Sequence, residues 1–463
     1  MSCQDGHPGG RRKEGAELRP SIDRVSPNDM VTLATDRGPA PMNIGAVSIV
    51  DAAADLDFAT VRAIFASRLP RVRRLRQRLV KMPLGCGRPV WADSPNFDLD
   101  RHLSCLEVPR PRNPAGAAEP GDDHVLQIAA DLVCTPLARD WPLWAARWVT
   151  GLDGDRAALI LVMHHALTDG VGGLAVLDAL GDGGIDPEKA DFPEPAPRLR
   201  AVIADAWRER ARTVIQLPGR LRAGRQGLRE LGIRAGRPAL AARTSLNRAT
   251  GPRRRLSIVR VPLSPLLDSA HRRGAKLNDL ILAAVTGAID GVLRGRREQL
   301  AELVVSVPIS ARRTATAAHL GNQTGVAPLA IPTLGDQDER VRRITALSSA
   351  RRGAARGTSA GPLGLVFRAL GGLGVFQLFI DHQRLVHTFV TNVRGPEAVV
   401  HFAGHPVQTV IPVAVTPGNV GVCFDILSYA GELVVTVVAD PDIVIEQDLL
   451  TSRLASELGQ LLS

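Results

Sequence analysis

The sequence predicts a mixed α/β (α+β) fold in two halves that a helical linker joins. Its 463 residues exceed what one ordinary hydrophobic core supports and predict two or three domains. Residues 158–163 are continuously apolar, which suits a buried strand, and residues 171–180 carry apolar side chains at helical spacing. Residues 407–438 alternate between apolar and polar and predict several strands.

Four segments are predicted along the chain. Residues 1–20 are polar and contain no apolar core for a signal peptide or a membrane span, so they predict a disordered tail. Residues 21–195 form the first half, and three prolines within residues 193–197 mark its end. Residues 196–245 form a basic helical linker, and residues 246–463 form the second half.

The first half begins with a predicted strand at 42–50 and a helix at 58–69. Residues 71–78 continue the helical character with five arginines, which predicts a solvated face. A strand at 147–150 and the apolar strand that follows are separated by the turn 151–155, which predicts a hairpin.

The linker and one later segment each raise the question of membrane contact. Residues 199–215 carry an intermittent apolar stripe surrounded by arginines. Such a helix can lie on an anionic membrane or pack its stripe on the protein between the halves; the second interpretation is favoured, and the two are compatible. Residues 361–380 approach the length of a transmembrane span, but Arg368 and five glycines favour a buried helical pair or an acyl-chain-facing wall.

Composition restricts the partners. The net charge is +10, carried almost entirely by arginine, which indicates either genomic composition or attraction to anionic phosphates, on a small molecule or on a lipid surface. Aromatic residues make up only 3%, so little is available to stack on bases and nucleic acid is not expected. Five scattered cysteines predict reduced thiols in a cytoplasmic protein.

The heptapeptide HHALTDG, residues 164–170, is the strongest functional signal. Because successive strand residues point to opposite faces, His164 and His165 cannot both line one cleft, so one is expected to be buried and the other catalytic. A neutral imidazole can accept a proton at cellular pH. Thr168 or Asp169 lies where a helix N-cap belongs, and Gly170 permits close approach of a substrate or a neighbouring chain. A zinc site at His165 and Asp169 is the alternative, but no convincing third ligand is nearby and no metal is predicted.

Several stretches together resemble the bacterial wax ester synthase/diacylglycerol acyltransferase family, within the HHxxxDG acyltransferase superfamily that includes chloramphenicol acetyltransferase and condensation domains. The resemblance runs from about residue 25 to the C-terminus. Its stretches occur in the family's order: SPNDMVTLATDRGPAPMNIGAV from Ser26, RDWPLWAARWVTGL from Arg139, KLNDLILAAVTGAI from Lys276, SVPISARR from Ser306, LGNQ from Leu320, TNVRGP from Thr391 and FDILSYAGEL from Phe424. The resemblance implies two chloramphenicol-acetyltransferase-like halves with the active site between them.

The resemblance also implies roles for the residues of the HHxxxDG motif. His165 is the expected general base, and His164 is expected to pack or orient. Asp169 is expected to hold the loop through an arginine, and Gly170 completes the catalytic motif.

Four further residues are candidates for substrate binding. Asn278 and Asp279 match a family Asn-Asp motif, and Asn278 either positions substrate and stabilises charge or caps the following helix. Trp144 matches the family's PLW and shapes the entrance or the core. Arg312 pairs with a phosphate or with Asp169.

The expected function is transfer of a long-chain acyl group from acyl-CoA to diacylglycerol or a fatty alcohol, with acyl-CoA as co-substrate, no cofactor and no covalent intermediate. Two alternatives are a condensation-type enzyme acting on carrier-bound acyl groups and a non-catalytic lipid-surface binding protein. The expected location is the cytoplasm, with peripheral contact at the inner membrane or at lipid inclusions.

Overall fold

The computed structural model describes residues 22–51, 56–109, 121–184, 192–215, 240–310, 324–352, 370 and 374–462. The predicted tail at 1–20, a large part of the predicted linker, most of the apolar segment 361–380 and the candidate Arg312 lie outside the described residues.

Eleven α-helices and fourteen strands occur in the described residues. The helices are α1 Pro27–Thr35, α2 Phe58–Arg68, α3 Arg73–Arg76, α4 Asp122–Val133, α5 Gly170–Leu180, α6 Leu199–Ile215, α7 Leu263–Arg272, α8 Leu277–Gly295, α9 Gln337–Arg352, α10 Phe376–Asp381 and α11 Gln447–Leu462. The strands are β1 Asn43–Asp51, β2 Gln77–Val80, β3 Val90–Asp93, β4 Leu103–Glu107, β5 Trp144–Thr150, β6 Arg156–His164, β7 Arg255–Pro262, β8 Glu302–Ser310, β9 Thr324–Pro332, β10 Thr388–Arg394, β11 His401–Phe402, β12 His405–Ala414, β13 Val422–Tyr429 and β14 Glu432–Ala439.

The first half is organised around a six-stranded sheet in the order β11-β12-β1-β6-β5-β4. The predicted hairpin is confirmed, since β5 and β6 pair antiparallel. However, β11 and β12 come from the second half of the sequence, and β12 pairs with β1 along its length. The predicted division at residue 246 therefore omits one feature of the fold. Residues 401–414 follow that boundary in the sequence but belong to the first sheet.

The second half has its own six-stranded sheet in the order β7-β14-β13-β10-β8-β9. The strand β10 runs parallel to both β13 and β8, and the other pairs are antiparallel. The helices α8 and α11 pack on one face, where Leu280, Val285, Leu454 and Leu458 are buried with the apolar side chains of the sheet. The two sheets and their helices match the predicted α/β architecture in two halves.

A hydrophobic cluster holds the two halves together. Val47 and Ile160 of the first sheet share a buried cluster with Leu256 and Val434 of the second. On the surface, Asp122 of α4 accepts hydrogen bonds from Arg156 of its own half and from the second half's Arg260. Because buried apolar contacts of this kind are close-packed, they define the position of one sheet against the other.

The prediction for residues 71–78 is wrong. Only Arg73–Arg76 is helical, residues 77–80 form β2, and the side chain of Arg76 is fully buried. Arg76 lies 3.3 Å from Asp93 and donates to Glu194 at 2.9 Å, so its charge is compensated by two carboxylates distant in sequence. A buried arginine needs such partners, and local spacing does not reveal them.

The linker helix α6 packs on the first half. Val202 and Ala206 are buried, and Asp205 accepts a hydrogen bond of 2.6 Å from Arg24. The opposite side of the helix exposes Trp207 and Ile215. The favoured interpretation of a stripe packed on the protein therefore applies to one face of α6 only. Within the described residues, none of the helices has the length and hydrophobicity needed to cross a membrane.

Candidate active site

A cavity of about 1120 Å³ lies between the two halves. Residues of α1, β1 and α5 line it from the first half, and β8, β9, β10, β12 and β13 line the rest. Its wall is largely aliphatic, and His165, Asn43, Arg254 and Asp425 are among the polar residues in it. It exceeds the roughly 300–1,000 Å³ of pockets that hold drug-sized ligands.

His165 lies immediately after β6, at the edge of this cavity. Its backbone N–H donates to the carbonyl of Met42 at 2.8 Å, which continues the pairing of the strand with the segment before β1. Its Nδ1 lies 3.0 Å from the carbonyl oxygen of Thr168. Because a carbonyl oxygen can only accept, Nδ1 carries the proton, and in the neutral ring Nε2 carries the lone pair. The turn therefore selects the tautomer whose Nε2 can act as a base.

His164 faces the other side of the strand and is buried, as the alternation of strand residues predicts. The Ala166 N–H donates to its Nδ1 at 3.0 Å, so Nε2 carries the hydrogen and donates to Asp36 at 3.0 Å. Burial lowers the pKa of His164 and outweighs the opposing effect of Asp36. Burial alone would raise the pKa of Asp36, but the hydrogen bond from His164, the Met42 N–H and Arg139 together hold it below its ordinary value. His164 is a neutral, orienting residue in this arrangement.

Asp169 caps α5, as predicted from the sequence. Its carboxylate accepts a hydrogen bond of 3.0 Å from the Gly172 N–H at the first turn of the helix. Gly170 follows and lines the cavity, and a methyl group built on it would lie 2.9 Å from Cγ2 of Val393 on β10. Glycine at this position therefore lets the second half approach the turn at residues 165–169 closely. The arginine expected to hold Asp169 stays a prediction, since its candidate, Arg312, lies outside the described residues.

The Asn-Asp pair occupies the start of α8 rather than the cavity wall. Lys276 is the N-cap, so the alternative role of Asn278 as N-cap is wrong. The exposed Asn278 accepts a hydrogen bond of 2.6 Å from Asn392, and it is not among the described residues of the cavity wall. Asp279 is buried and accepts from the Lys276 backbone N–H at 3.0 Å, which is a helix-capping contact. Both residues make local structural contacts, and their predicted contact with substrate stays a prediction.

Trp144 belongs to the core of the first half and not to the cavity. It is almost fully buried, and its Nε1 donates to the carbonyl of Leu75 at 2.6 Å. Its ring stacks on His102 at a centroid distance of 4.6 Å and on Phe65 at 6.2 Å. Of the two predicted positions, entrance or core, the structure shows the core, so the predicted substrate contact is corrected to a packing role.

Three polar residues of the cavity wall were not predicted as site residues. Asn43 is buried next to the catalytic turn, donates to two backbone carbonyls, and has no described partner for its Oδ1. Arg254 is buried and donates to the carbonyl of Thr416 at 2.6 Å. Asp425 is buried on β13, and burial raises its pKa to about 7 although a hydrogen bond with Thr391 opposes the rise. Asp425 belongs to the stretch FDILSYAGEL, which resembles the family, but the sequence of this stretch does not show that the carboxyl faces a cavity.

The described residues contain no group of three or more histidine, cysteine, aspartate or glutamate side chains placed to hold a metal ion.

Comparison with known proteins agrees with this geometry. The wax ester synthase/diacylglycerol acyltransferase catalytic domain matches residues 25–281, and the C-terminal domain of the same family matches residues 320–462. A probable diacylglycerol O-acyltransferase of Mycobacterium tuberculosis, tgs1, is 27% identical over 435 residues, or 91% of each chain.

Solved structures share the fold. The wax ester synthase/diacylglycerol acyltransferase from Marinobacter aquaeolei VT8 superposes with a TM-score of 0.65 at 18% identity, covering 95% of this chain and 98% of that one. The first condensation domain of the CDA synthetase superposes with a TM-score of 0.60 at 18% identity, covering 96% and 97%. The two matched domains span most of the sequence, and the chain belongs to the wax ester synthase/diacylglycerol acyltransferase family.

Proposed function

We propose that the protein transfers a long-chain acyl group from acyl-CoA to diacylglycerol or a fatty alcohol, with His165 as general base. Membership of the family supports the acyltransferase activity. The observation that carries the mechanism is the hydrogen bond between Nδ1 of His165 and the Thr168 carbonyl. Because Nδ1 carries the proton, the basic lone pair is on Nε2, and His165 is a residue that lines the cavity between the halves.

The proposed step needs no covalent enzyme intermediate, because a thioester is already activated. Nε2 of His165 takes the proton of the acceptor hydroxyl as its oxygen attacks the thioester carbonyl. The tetrahedral intermediate then collapses, the C–S bond breaks, and the imidazolium returns the proton to the leaving thiolate. The products are the ester and free CoA, and His165 is again neutral.

The surroundings of His165 support this role. The neutral His164 donates to Asp36, and the Asp169 carboxylate caps α5, so both ends of the turn are hydrogen-bonded within the protein. The aliphatic wall excludes water, which would otherwise compete with the alcohol for the thioester.

The test is incubation of the purified protein with palmitoyl-CoA and either 1,2-dioleoylglycerol or hexadecanol, with thiol release and lipid product measured together. The proposal predicts an ester product and stoichiometric thiol with at least one acceptor. His165→Ala should lose both, and Asp268→Asn, at an exposed residue of α7 outside the cavity wall, serves as the control that should retain them. Thiol release with neither acceptor contradicts the proposal.

Two alternatives give different outcomes in the same assay. A condensation-type enzyme would use an acyl group on a carrier protein and an amine acceptor in preference to free acyl-CoA. A lipid-surface binding protein would bind vesicles and release no thiol. The family match favours the O-acyltransferase over both.

We also propose that α6 contacts a lipid surface peripherally. Trp207, Val214 and Ile215 are 65%, 70% and 78% exposed, and the exposed Arg208 and Arg212 lie beside them. Apolar side chains flanked by arginines match the interface of an anionic membrane.

Cosedimentation with phosphatidylglycerol vesicles tests this contact. Trp207→Asp is expected to weaken binding severalfold, and Ile445→Asp, at an exposed apolar residue of the other half, is expected to leave it unchanged. Equal binding by the wild type and the Trp207 variant would exclude α6 as the contact.

A further inference from the structure

Asp425 is the buried carboxyl of the cavity wall that the proposed mechanism does not use. It lies on β13, directly opposite Thr391 of the parallel strand β10. Thr391 hydrogen-bonds the carboxyl, and Sγ of Cys423 lies 4.0 Å from its Oδ2. All three side chains line the cavity, so they form a small polar group within an aliphatic wall.

The strand register relates Asp425 to the catalytic turn. Val393, which adjoins Gly170 of the HHxxxDG motif, pairs with Leu427. Asp425 is two residues before Leu427 and on the same face of the strand. Two residues of a strand span about 7 Å, so Asp425 lies about that distance along the wall from the contact with Gly170. His165 belongs to the same turn, and both residues therefore face one stretch of the cavity.

The surroundings of Asp425 favour its neutral form. The wall on either side of it is apolar, with Leu427 and Val393 toward the catalytic turn and Phe389 away from it. An ionised carboxylate is costly in such surroundings, and burial accordingly raises the pKa of Asp425 to about 7. A neutral carboxyl group is a hydrogen-bond donor, and its natural partner is a carbonyl oxygen.

We propose that Asp425 is a specificity-determining residue that donates a hydrogen bond to an ester carbonyl of the acceptor, and so selects a glyceride. This inference rests on the proposed function and concerns the acceptor side of the same cavity. It assigns diacylglycerol, rather than a fatty alcohol, as the acceptor class that the wall of this cavity recognises.

The chemistry of the candidate ligands supports this choice. A diacylglycerol carries an ester carbonyl a few bonds from its free hydroxyl, with hydrocarbon beyond it. That matches a small polar group with a carboxyl donor in an otherwise aliphatic stretch of wall near the base. A fatty alcohol has no oxygen besides the one that reacts. The pantetheine arm of CoA is polar along its length and would leave several amide groups unpaired against such a wall, which is unfavourable.

The experiment compares two acceptors in the full-length protein. The wild type, Asp425→Asn and Asp425→Leu are assayed with palmitoyl-CoA and either 1,2-dioleoylglycerol or hexadecanol, and kcat and KM are determined for each. Asp425→Leu removes the donor and is expected to lower kcat/KM for the diacylglycerol roughly tenfold to hundredfold. The value for hexadecanol is expected to stay within about threefold, which is the range a small packing change allows. Asp425→Asn keeps an N–H donor and should retain most of the diacylglycerol activity.

A pH series provides a readout that a merely structural role would not change. The ratio of diacylglycerol to hexadecanol kcat/KM in the wild type should fall above about pH 7, where the carboxyl loses its proton. It should stay flat in Asp425→Asn. The groups facing Asp425 are Thr391 on β10, Thr436 on β14 and Cys423 on its own strand. His165 and Arg254 are common to the reactions with both acceptors, so the ratio removes their contributions.

Three results overturn the inference. They are equal losses for both acceptors in the Leu variant, a ratio with the same pH dependence in the wild type and in Asp425→Asn, and a wild type that acylates only hexadecanol. If Asp425→Leu does not fold, the inference is tested by the pH dependence of the kcat/KM ratio in the wild type and in Asp425→Asn. A wild type that acylates neither acceptor contradicts the proposed function itself, which distinguishes the two failures.

Discussion

Replacement of Asp425 by asparagine should change how the stability of the protein depends on pH. The two side chains have nearly the same shape, but asparagine does not titrate. Burial raises the pKa of Asp425 from 3.8 to about 7. A raised pKa in the folded state means that folding binds a proton at pH values between 3.8 and about 7, so the wild type loses stability as the pH rises through this range.

The magnitude follows from the size of this change. Each pH unit by which folding moves a pKa is worth about 1.4 kcal/mol, so the change from 3.8 to about 7 corresponds to roughly 4 kcal/mol. Below pH 3.8 the carboxyl is protonated in both states, and above about pH 7 it is ionised in both. Between pH 4 and pH 8 the wild type is therefore expected to lose up to about 4 kcal/mol of unfolding free energy relative to Asp425→Asn.

Urea titrations followed by tryptophan fluorescence measure this effect, because Trp144 and Trp148 are fully buried and respond to unfolding. The quantity of interest is the difference in unfolding free energy between the wild type and the variant at each pH. The exposed Asp268, replaced by asparagine, is the control and should give a nearly constant difference. Parallel curves for the wild type and Asp425→Asn would refute the reasoning.

Substitutions at three further positions test the architecture of the turn that holds His165. Asp169→Ala removes the acceptor for the Gly172 N–H, so it should lower the unfolding free energy by about 1 kcal/mol and reduce kcat, while Asp169→Asn, which keeps a capping oxygen, should lose less. Asp36→Ala leaves the buried Nε2–H of His164 without its acceptor and is expected to cost about 1–3 kcal/mol, measured by urea unfolding; a change below about 0.5 kcal/mol would contradict this role. Gly170→Ala places a methyl group 2.9 Å from a side chain of β10 and should cost about 1–3 kcal/mol in the same titration, and an unchanged midpoint would show that the halves are not in close contact there.

Local sequence patterns were sufficient for the catalytic turn. Strand alternation predicted that His164 and His165 face opposite sides, and the structure shows one buried and the other lining the cavity. The helical spacing after the motif and capping preferences limited the N-cap of α5 to Thr168 or Asp169, and the structure shows Asp169. These features depend on residues within a few positions of one another, which is the range that periodicity and capping rules describe.

Features that depend on contacts between residues far apart in the sequence could not be predicted from local patterns. The buried Arg76 was predicted to be solvated because its partners, Asp93 and Glu194, are far away in sequence. The strand at 405–414 was correctly predicted as a strand, but its pairing with β1 of the other half follows from tertiary contacts alone. Asp425 faces the cavity because of its register with β10, which strand periodicity within β13 does not specify.

The resemblance to the family predicted the fold, and the roles that it implies for single residues stay predictions. Trp144 is in the core, and Asn278 and Asp279 are at the start of α8. Residues of a family motif can serve folding as well as chemistry. The sequence does not show which of them line the cavity.

The central claim is that His165, held as the tautomer with a basic Nε2, removes the proton of the acceptor alcohol. Its most direct test is the single-turnover rate of acyl transfer from palmitoyl-CoA to the preferred acceptor in the wild type and in His165→Ala, with acyl-CoA affinity measured alongside. The account predicts a loss of roughly 10²–10⁴-fold in the rate with nearly unchanged affinity, as expected for removal of a general base. A variant that folds, binds acyl-CoA and transfers the acyl group within about threefold of the wild-type rate would contradict it.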